Sequence, residues 1–289
     1  MVLGIYGCMI RMVVTDIDGT LLNSNGEVDE PNLDTLKYLG KLGVVRVFAT
    51  GRSPFSVEKV ISYDFPVDYI VFSSGAGIIR WSDKQIIHER HLTQFHTQNV
   101  INEFLKLRVD FMVHDPIPHN HCFLYHSNNI DNPDFFRRID VYNSFCQPYI
   151  PGIEYPNGAT QLIAVLPNDP NLFNAISVKF PELKVIRTTS PLDGNSIWME
   201  IFPKDISKAY GIQWLCSNEV NCEIKEVIAI GNDFNDLDML ELVENSYVVS
   251  NAPEEIKNRF RVVPSNNDFG FSEAVNDALT IQQLNLSLE

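Results

Sequence analysis

The chain has 289 residues, 45% hydrophobic and 20% charged, a balance typical of a globular protein with one large domain or two smaller ones. Its formal net charge of −15 argues against binding to nucleic acid or to an anionic membrane surface. No stretch approaches the ~18 consecutive apolar residues of a membrane-spanning helix, and residues 1–10 lack the basic start of a signal peptide. We therefore expect a soluble protein with no membrane partner.

The cysteines indicate a reducing compartment. They are odd in number and lack C-x-x-C spacing, which argues against both a disulfide framework and a zinc site. The five positions are Cys8, Cys122, Cys146, Cys216 and Cys222. A cytoplasmic location is the simplest expectation.

An apolar run near the N-terminus ends at two carboxylates. Residues 9–15 predict a buried strand of a parallel sheet, and Asp16 and Asp18 follow it directly before Gly19. Ligand sites in open α/β sheets form beyond the carboxyl ends of such strands. Two carboxylates this close repel each other unless a cation lies between them, so the pair indicates a divalent metal bound through oxygen. An ordinary turn is the alternative interpretation.

Strands and helices then alternate. A helix is predicted after Asp29-Glu30-Pro31, ending at Gly43, and a strand at residues 44–49 follows it directly. Ser53-Pro54 begins another helix, and residues 69–72 predict a third strand. This order is the beginning of a doubly wound parallel sheet.

From residue 78 the pattern changes to that of an α+β lobe. The predicted elements are a hairpin at 78–81 and 85–88, helices at 93–107, 133–145 and 170–180, and strands at 110–114, 122–126, 161–166 and 183–187. The first pattern returns at residues 198–201 and continues with a helix after Asp205. Strands at 227–230 and 246–249 follow, with a helix between them, and the residues after Leu279 predict a frayed tail.

An inserted lobe explains this order of elements. We expect a doubly wound, Rossmann-like parallel-sheet core at residues 1–80 and 203–289, with an inserted α+β domain at 81–202.

Polar clusters occupy the positions where this core would bind a ligand. They are Asp16 with Asp18, Thr50 with Gly51, Lys208 at a helix start, and the segment from Asn232 to Asp236. A carboxylate that attacks a phosphate dianion must overcome repulsion of about 4 kcal/mol at 4 Å and an effective dielectric of 20. A divalent ion and a lysine offset this repulsion, and hydroxyl and backbone N–H groups suit phosphate oxygens. The clusters therefore favour phosphoryl transfer.

Four motifs resemble, in their order, those of the haloacid dehalogenase-like hydrolases. They are Asp16-Ile17-Asp18-Gly19-Thr20-Leu21, Ala49-Thr50-Gly51-Arg52, Ser207-Lys208 and Gly231-Asn232-Asp233-Phe234-Asn235-Asp236. The insertion at 81–202 is similar to the C2B cap of the Cof-type branch, subfamily IIB, which includes sugar-phosphate phosphatases. Residues 249–253 and 265–270 resemble that branch's C-terminal signatures.

The resemblance implies a role for each motif. Asp16 would be the nucleophile that forms an aspartyl-phosphate, and Asp18 the general acid and then the base. Thr50 and Lys208 would hold the phosphoryl group, with Gly51 beside them. Further substrate contacts are expected from Ser74, Gly75 and Asn235. Mg²⁺ would rest on Asp16, Asp18 and the fourth motif, where Asp236 would support it.

The fourth motif departs from the family pattern. It usually opens Gly-Asp, but here it opens Gly-Asn, so the metal ligand is either the amide oxygen of Asn232 or the carboxylate of Asp233. The same segment also fits a helix N-cap cluster.

Two segments of the insertion each allow two interpretations. The His119-Asn120-His121-Cys122 segment favours a polar loop over a zinc site, because it has no second ligand pair. Arg137 and Arg138 favour a solvated helix face over a site for a substrate anion.

Taken together, the resemblance implies an Mg²⁺-dependent phosphatase, a phosphoric monoester hydrolase. Its substrate would be a small phosphorylated metabolite such as a sugar phosphate, and we expect a monomer or a weak homo-oligomer. Two alternatives stay open. One is a phosphomutase-like phosphotransferase, and the other is a non-catalytic metabolite-binding protein, suggested by Asn232 in place of aspartate.

Overall fold

The computed structural model describes residues 9–128 and 131–288, with side chains as far as residue 283. Residues 1–8, which include Cys8 and most of the stretch weighed as a signal peptide, lie outside the described residues. Within this part of the chain, no helix combines the length and the hydrophobicity needed to cross a membrane.

The elements are numbered in chain order. The strands are β1 (Met12–Thr15), β2 (Val45–Ala49), β3 (Tyr69–Phe72), β4 (Gly77–Arg80), β5 (Gln85–Glu89), β6 (Phe111–His114), β7 (Phe123–His126), β8 (Cys146–Pro148), β9 (Leu162–Leu166), β10 (Leu183–Thr189), β11 (Ile197–Pro203), β12 (Val227–Gly231), β13 (Asn245–Val249) and β14 (Arg261–Val263). The helices are α1 (Glu30–Lys41), α2 (Pro54–Val57), α3 (Gln94–Leu107), α4 (Pro133–Val141), α5 (Pro170–Ser177), α6 (Lys208–Leu215), α7 (Leu237–Leu242), α8 (Glu254–Lys257) and α9 (Gly270–Leu288).

The chain forms two compact units. The first comprises Met1–Gly51, Glu58–Ile87 and Ser207–Glu289, and the second comprises Arg52–Val57 and His88–Ile206. The second unit is thus inserted into the first, with the short helix α2 as an additional contribution. The domain limits at 80/81 and 202/203 stay a prediction.

The first unit is built on a sheet in the order β14-β13-β12-β1-β2-β3-β4-β5. Neighbouring strands run parallel from β14 to β3, and β4 turns antiparallel to β3. Helices of this unit pack in two pairs, because α1 contacts α9 and α6 contacts α7. This architecture confirms the predicted doubly wound parallel-sheet core.

Continuous apolar sequences explain the central strands. All four residues of β1 and all five of β12 are buried, as expected for parallel strands covered on both faces. On one face, Met12 and Val14 pack with Ile212 and Leu215 of α6 in a single core cluster. This packing holds α6 beside the carboxyl ends of the central strands.

The second unit contains a six-stranded sheet in the order β10-β11-β9-β6-β7-β8. Its pairs are antiparallel except for β7 with β8. One face packs against α3 and α5 around Phe104 and Phe111, and the other packs against α4 around Phe135 and Trp198. The predicted α+β insertion is therefore confirmed as a separate layer structure.

Four local predictions were wrong or incomplete. Residues 198–201 belong to β11 in the second sheet, because β9 and β10 flank them there. The residues after Leu279 are not a frayed tail, since α9 continues to Leu288 and Gln282 accepts a hydrogen bond from the backbone N–H of Ile10. The helix predicted at 133–145 ends at Val141. The edge strands β8 and β14 were missed, because three residues are too few to show a period.

Candidate active site

The centre of the site is a lysine held between two aspartates. Lys208 Nζ lies 2.6 Å from Asp16 Oδ1 and 2.6 Å from Asp236 Oδ1. Asp16 follows β1, where its backbone N–H bonds to the carbonyl of Ile230, and Asp236 lies in the turn after β12. All three charged side chains are buried, so the two contacts are charge-assisted hydrogen bonds shielded from water.

Close backbone packing brings Lys208 to this position. Ser207 is the N-cap of α6, and its hydroxyl accepts a hydrogen bond from the N–H of Tyr210. Gly75, with φ +106, lies against the Ser207 backbone, where a Cβ atom would come within 2.0 Å of the Ser207 carbonyl oxygen. Gly75 therefore has a packing role that the sequence did not predict, because it lets α6 begin close to the end of β3.

The charges of this cluster do not balance. Burial raises the pKa of Asp16 to about 8, Lys208 opposes the rise, and the carboxylates of Asp236 and Asp18 add to it. Burial by itself lowers the pKa of Lys208, but Asp16 and Asp236 together raise it above its ordinary value. One lysine thus faces more than one carboxylate, and the cluster keeps a negative surplus that a cation would relieve.

Asp236 organises the turn after β12. Its Oδ2 accepts hydrogen bonds from the backbone N–H groups of Asn232 (2.8 Å) and Asp233 (2.9 Å), while its Oδ1 accepts from Lys208. Gly231 permits this arrangement, because a Cβ there would lie 2.7 Å from the Asp236 side chain. Both Asp236 oxygens are occupied by donors of the chain itself, which fits a supporting role better than direct metal ligation.

Asn232 and Asp233 point their side chains to different places. Asn232 Oδ1 accepts a hydrogen bond from the Thr20 hydroxyl at 3.1 Å, and its Nδ2 would lie 2.6 Å from a Cβ at Gly19. Asp233 instead accepts the backbone N–H of Asp236 in a capping box. Asn232 therefore faces the loop that carries Asp16 and Asp18, and Asp233 faces its own turn.

Thr50 and Ser74 lie together at the ends of β2 and β3. Thr50 donates its backbone N–H to Val71, and its carbonyl accepts the N–H of Ser74. Both residues are buried, and Ser74 adopts a left-handed conformation with φ 53. Gly51 follows Thr50 at the limit of the first unit.

The remaining predicted site residues, Asp18 and Asn235, are half-buried in the turns after β1 and β12. Neither takes part in the two hydrogen bonds that Lys208 donates.

Comparison with known proteins decides the family. Residues 13–275 match the haloacid dehalogenase-like hydrolases, which is most of the chain. The chain belongs to this family. The stress response protein YhaX of Bacillus subtilis (strain 168) is 25% identical over 288 residues, covering 94% of each chain.

Two solved structures share the fold of this family. The chain superposes on BT1666 from Bacteroides thetaiotaomicron, a phosphatase of the haloalkanoate enzyme superfamily, with a TM-score of 0.76 and 19% identity, covering 96% of this chain and 97% of the other. It also superposes on BT4131, a sugar phosphatase of subclass IIB, with a TM-score of 0.73 and 16% identity, covering 92% and 98%. The predicted resemblance to haloacid dehalogenase-like hydrolases is confirmed.

Two asparagines near the C-terminus stabilise the loop after the first family motif. Asn251 donates to the carbonyl of Gly19 at 2.8 Å and accepts the N–H of Asn266 at 3.0 Å. Asn266 in turn donates to the carbonyl of Leu22 at 2.8 Å. Both asparagines lie in the C-terminal signatures recognised in the sequence, but the pattern did not reveal that they hold the Asp18 loop.

An Mg²⁺ ion fits the donor set of this site. The oxygens beside the end of β1 include the Asp16 carboxylate and the Asn232 amide oxygen, and both are of types that Mg²⁺ accepts as ligands. Burial is the main cause of the raised pKa of Asp16, and the neighbouring carboxylates of Asp236 and Asp18 add to it, so a cation here would favour the ionised form. Among the described residues, no three His, Cys, Asp or Glu side chains form a metal cluster, so such an ion would depend on backbone and amide oxygens as well.

The two ambiguous segments of the second unit behave differently. His121 is stacked on Phe55 with ring centroids 4.4 Å apart, and Phe145 packs edge-on against both. The solvated face expected for Arg138 is wrong, because its guanidinium lies 4.5 Å from the centre of the Trp198 ring. Arg137 is exposed, as expected.

Proposed function

We propose that this chain is an Mg²⁺-dependent phosphatase that hydrolyses a small phosphorylated metabolite through an aspartyl-phosphate. The observation that carries this proposal is the buried contact of Lys208 with both Asp16 and Asp236. A carboxylate at a strand end, oriented by an adjacent lysine, is suited to attack a phosphate that its own charge would otherwise repel.

The proposed chemistry uses two residues of the first motif. A carboxylate oxygen of Asp16 attacks phosphorus, and the bond from phosphorus to the alcohol oxygen breaks as Asp18 donates a proton to that oxygen. Asp18 then takes a proton from a water molecule that attacks the aspartyl-phosphate, releasing inorganic phosphate and restoring Asp16. Thr50, Gly51 and Lys208 would hold the phosphoryl oxygens during both steps.

The metal would be held by the Asp16 carboxylate, the Asp18 backbone carbonyl and the Asn232 amide oxygen. Asn232 is preferred over Asp233 because its side chain faces the loop of the first motif, whereas the Asp233 carboxylate caps its own turn. When bound, Mg²⁺ would neutralise the negative surplus of the carboxylates and of the substrate phosphate. An amide ligand supplies one less negative charge than the usual aspartate, so we expect weaker Mg²⁺ binding than a carboxylate would give.

The substrate class is supported by the family. BT4131 is named as a sugar phosphatase, which makes sugar phosphates the first compounds to test on this chain. Contacts of Ser74, Gly75 and Asn235 with the substrate stay part of the proposal. A cytoplasmic site of action is consistent with cysteines that are free at all four described positions.

The test is phosphate release from a panel of sugar phosphates, nucleotides and cofactor phosphates, with and without Mg²⁺. Asp16→Asn should abolish turnover, because an amide is not a nucleophile toward phosphorus. Asp34→Asn is the matched control, since Asp34 is 63% exposed and forms an ion pair with Lys37 on α1. Equal Mg²⁺-dependent turnover by wild type and Asp16→Asn would refute the mechanism.

Two further outcomes would redirect the assignment. Phosphate transfer that requires an added sugar acceptor would indicate a phosphotransferase. Tight metabolite binding without turnover or Mg²⁺ binding would indicate a binding protein.

A further inference from the structure

The guanidinium of Arg138 is enclosed by aromatic rings. Its central carbon lies 4.5 Å, 5.0 Å and 5.8 Å from the ring centres of Trp198, Tyr142 and Phe123. Its Nε atom is buried and has no hydrogen-bond partner, and across the described part of the chain no carboxylate forms an ion pair with this guanidinium. Aromatic faces compensate a desolvated guanidinium only in part.

The acid one helical turn before Arg138 is already occupied. Asp134 accepts hydrogen bonds from the Ser190 hydroxyl at 3.0 Å, from Trp198 Nε1 at 2.7 Å and from Arg137 at 3.4 Å. Burial lowers the pKa of Arg138, and the opposing influence of Tyr142, Glu200 and Asp134 counters this only in part. The guanidinium therefore retains a donor, its Nε–H group, that no described residue of the unit satisfies.

Two more buried polar atoms lie on the same face of the sheet. His114 packs on Phe123 with ring centroids 4.9 Å apart, so both His114 and Arg138 contact that ring. His114 Nδ1 lies 2.8 Å from the carbonyl of Asn120 and donates to it, which leaves Nε2 as a buried acceptor without a partner. Burial lowers the pKa of His114 to about 3, so the ring is neutral.

Gln161 is the third member of this group. Its backbone carbonyl accepts the backbone N–H of His114. Strand alternation places the Gln161 side chain on the sheet face of Ile163 and Trp198, opposite to the face of Leu162. Its Oε1 atom is buried without a partner. Arg138, His114 and Gln161 thus combine a cationic donor with two acceptors.

We propose that Arg138 binds an oxyanion, a carboxylate or phosphate, of a small molecule whose neighbouring hydroxyl donates to one of the two buried acceptors, His114 Nε2 or Gln161 Oε1. A planar guanidinium forms paired hydrogen bonds with such groups, and an acceptor beside it selects a hydroxylated anion. The anion has two sources, either a second anionic group of the phosphatase substrate or a separate ligand. Only the first source rests on the proposed function.

The binding test uses glycolate, a small hydroxylated carboxylate, with uncharged glycolamide as its control at constant ionic strength. The ¹H–¹⁵N signal of Arg138 Nε, assigned by its loss in Arg138→Met, should shift to saturation with glycolate and not with glycolamide. The Arg137 signal is the internal control. If the Arg138 signal does not shift to saturation as glycolate is added, the proposal is wrong.

Variants test the same site through the fluorescence of Trp198, which contacts the guanidinium. Arg138→Met keeps the aliphatic stem and should weaken glycolate binding at least tenfold, whereas Arg137→Met should leave it within twofold. Arg138→Lys keeps the charge and should fall between them, which separates anion binding from a loss of folding. Equal affinity in wild type and Arg138→Met contradicts the proposal. These titrations need no turnover, so they stand if the proposed function fails.

Kinetics then identify the source of the anion. If it belongs to the substrate, Arg138→Met should raise KM at least tenfold for phosphate esters that carry a carboxylate or second phosphate, and change KM less than twofold for esters without one. If the ligand is separate from the substrate, Arg138→Met should change KM equally for both classes of ester and should still lose glycolate binding.

Discussion

Removing the ammonium of Lys208 is the sharpest test of the site. In Lys208→Met, the carboxylates of Asp16 and Asp236 lose a partner that lies 2.6 Å from each. Breaking one buried ion pair by deleting a partner costs about 3–5 kcal/mol. Because both acids share this lysine, and because one of them can take up a proton instead, we expect a loss of about 3–5 kcal/mol rather than twice that.

The assay is urea unfolding without Mg²⁺, since a bound cation would replace the missing charge. Trp198 lies in the second unit, so a Trp198→Phe background leaves the fluorescence of Trp81 and of Trp214 in α6, both in the first unit, to report on that unit. With an m-value of about 2 kcal/mol/M, the midpoint should fall by about 1.5–2.5 M. Turnover should fall about 10²–10³-fold, as for loss of one donor to a transition-state oxyanion.

A paired variant controls this prediction. Lys208→Met combined with Asp236→Asn removes one anion together with the cation and should recover part of the lost stability. A midpoint for Lys208→Met within about 0.5 M of wild type, which is about 1 kcal/mol, would refute the idea that the lysine compensates two buried carboxylates.

Three further predictions concern packing, pH and metal binding. Gly75→Ala should lower both turnover and the free energy of unfolding, the latter by about 2 kcal/mol or more, because the new Cβ would lie 2.0 Å from the Ser207 carbonyl oxygen. Urea unfolding and initial rates of phosphate release measure the two effects. The second unit should lose stability below pH 6.5, by about 1.4 kcal/mol per pH unit, because unfolded histidine takes up a proton that buried His114, with a pKa of about 3, does not. Unfolding followed by Trp198 fluorescence, with Trp81 and Trp214 replaced by phenylalanine, measures the slope. Asn232→Asp should tighten Mg²⁺ binding about tenfold, measured by calorimetry, because a carboxylate adds a charge to the ligand set.

Each of these has a contrasting control. Gly152 has φ +84, and no atom lies within 4 Å of the position that a Cβ would take, so Gly152→Ala should cost stability but not turnover. His114→Asn should flatten the acid slope of the second unit, and an unchanged slope would contradict the assignment. Asp233→Asn should leave Mg²⁺ affinity within twofold, and a larger loss would assign the ligand to Asp233 instead.

Much of the fold follows from local sequence patterns. Apolar runs that end at Asp16, Thr50 and the Gly231 motif predict buried parallel strands, because burial on both faces removes the need for polar alternation. Proline and N-cap residues in the same way mark where helices begin. Short edge strands escape such reasoning, since three residues carry no measurable period.

The sequence by itself also determined the family and the order of its motifs, because each motif is a short run of residues whose chemistry is legible locally. Only the tertiary structure decided which side chains meet. Lys208 contacts an aspartate 192 positions away, and Asn232 rather than Asp233 faces the Thr20 loop. Arg138 resembles its neighbour Arg137 in sequence, yet it is Arg138 that lies among aromatic rings. Such differences arise from strand register and helix rotation, which are set by the packing of distant segments.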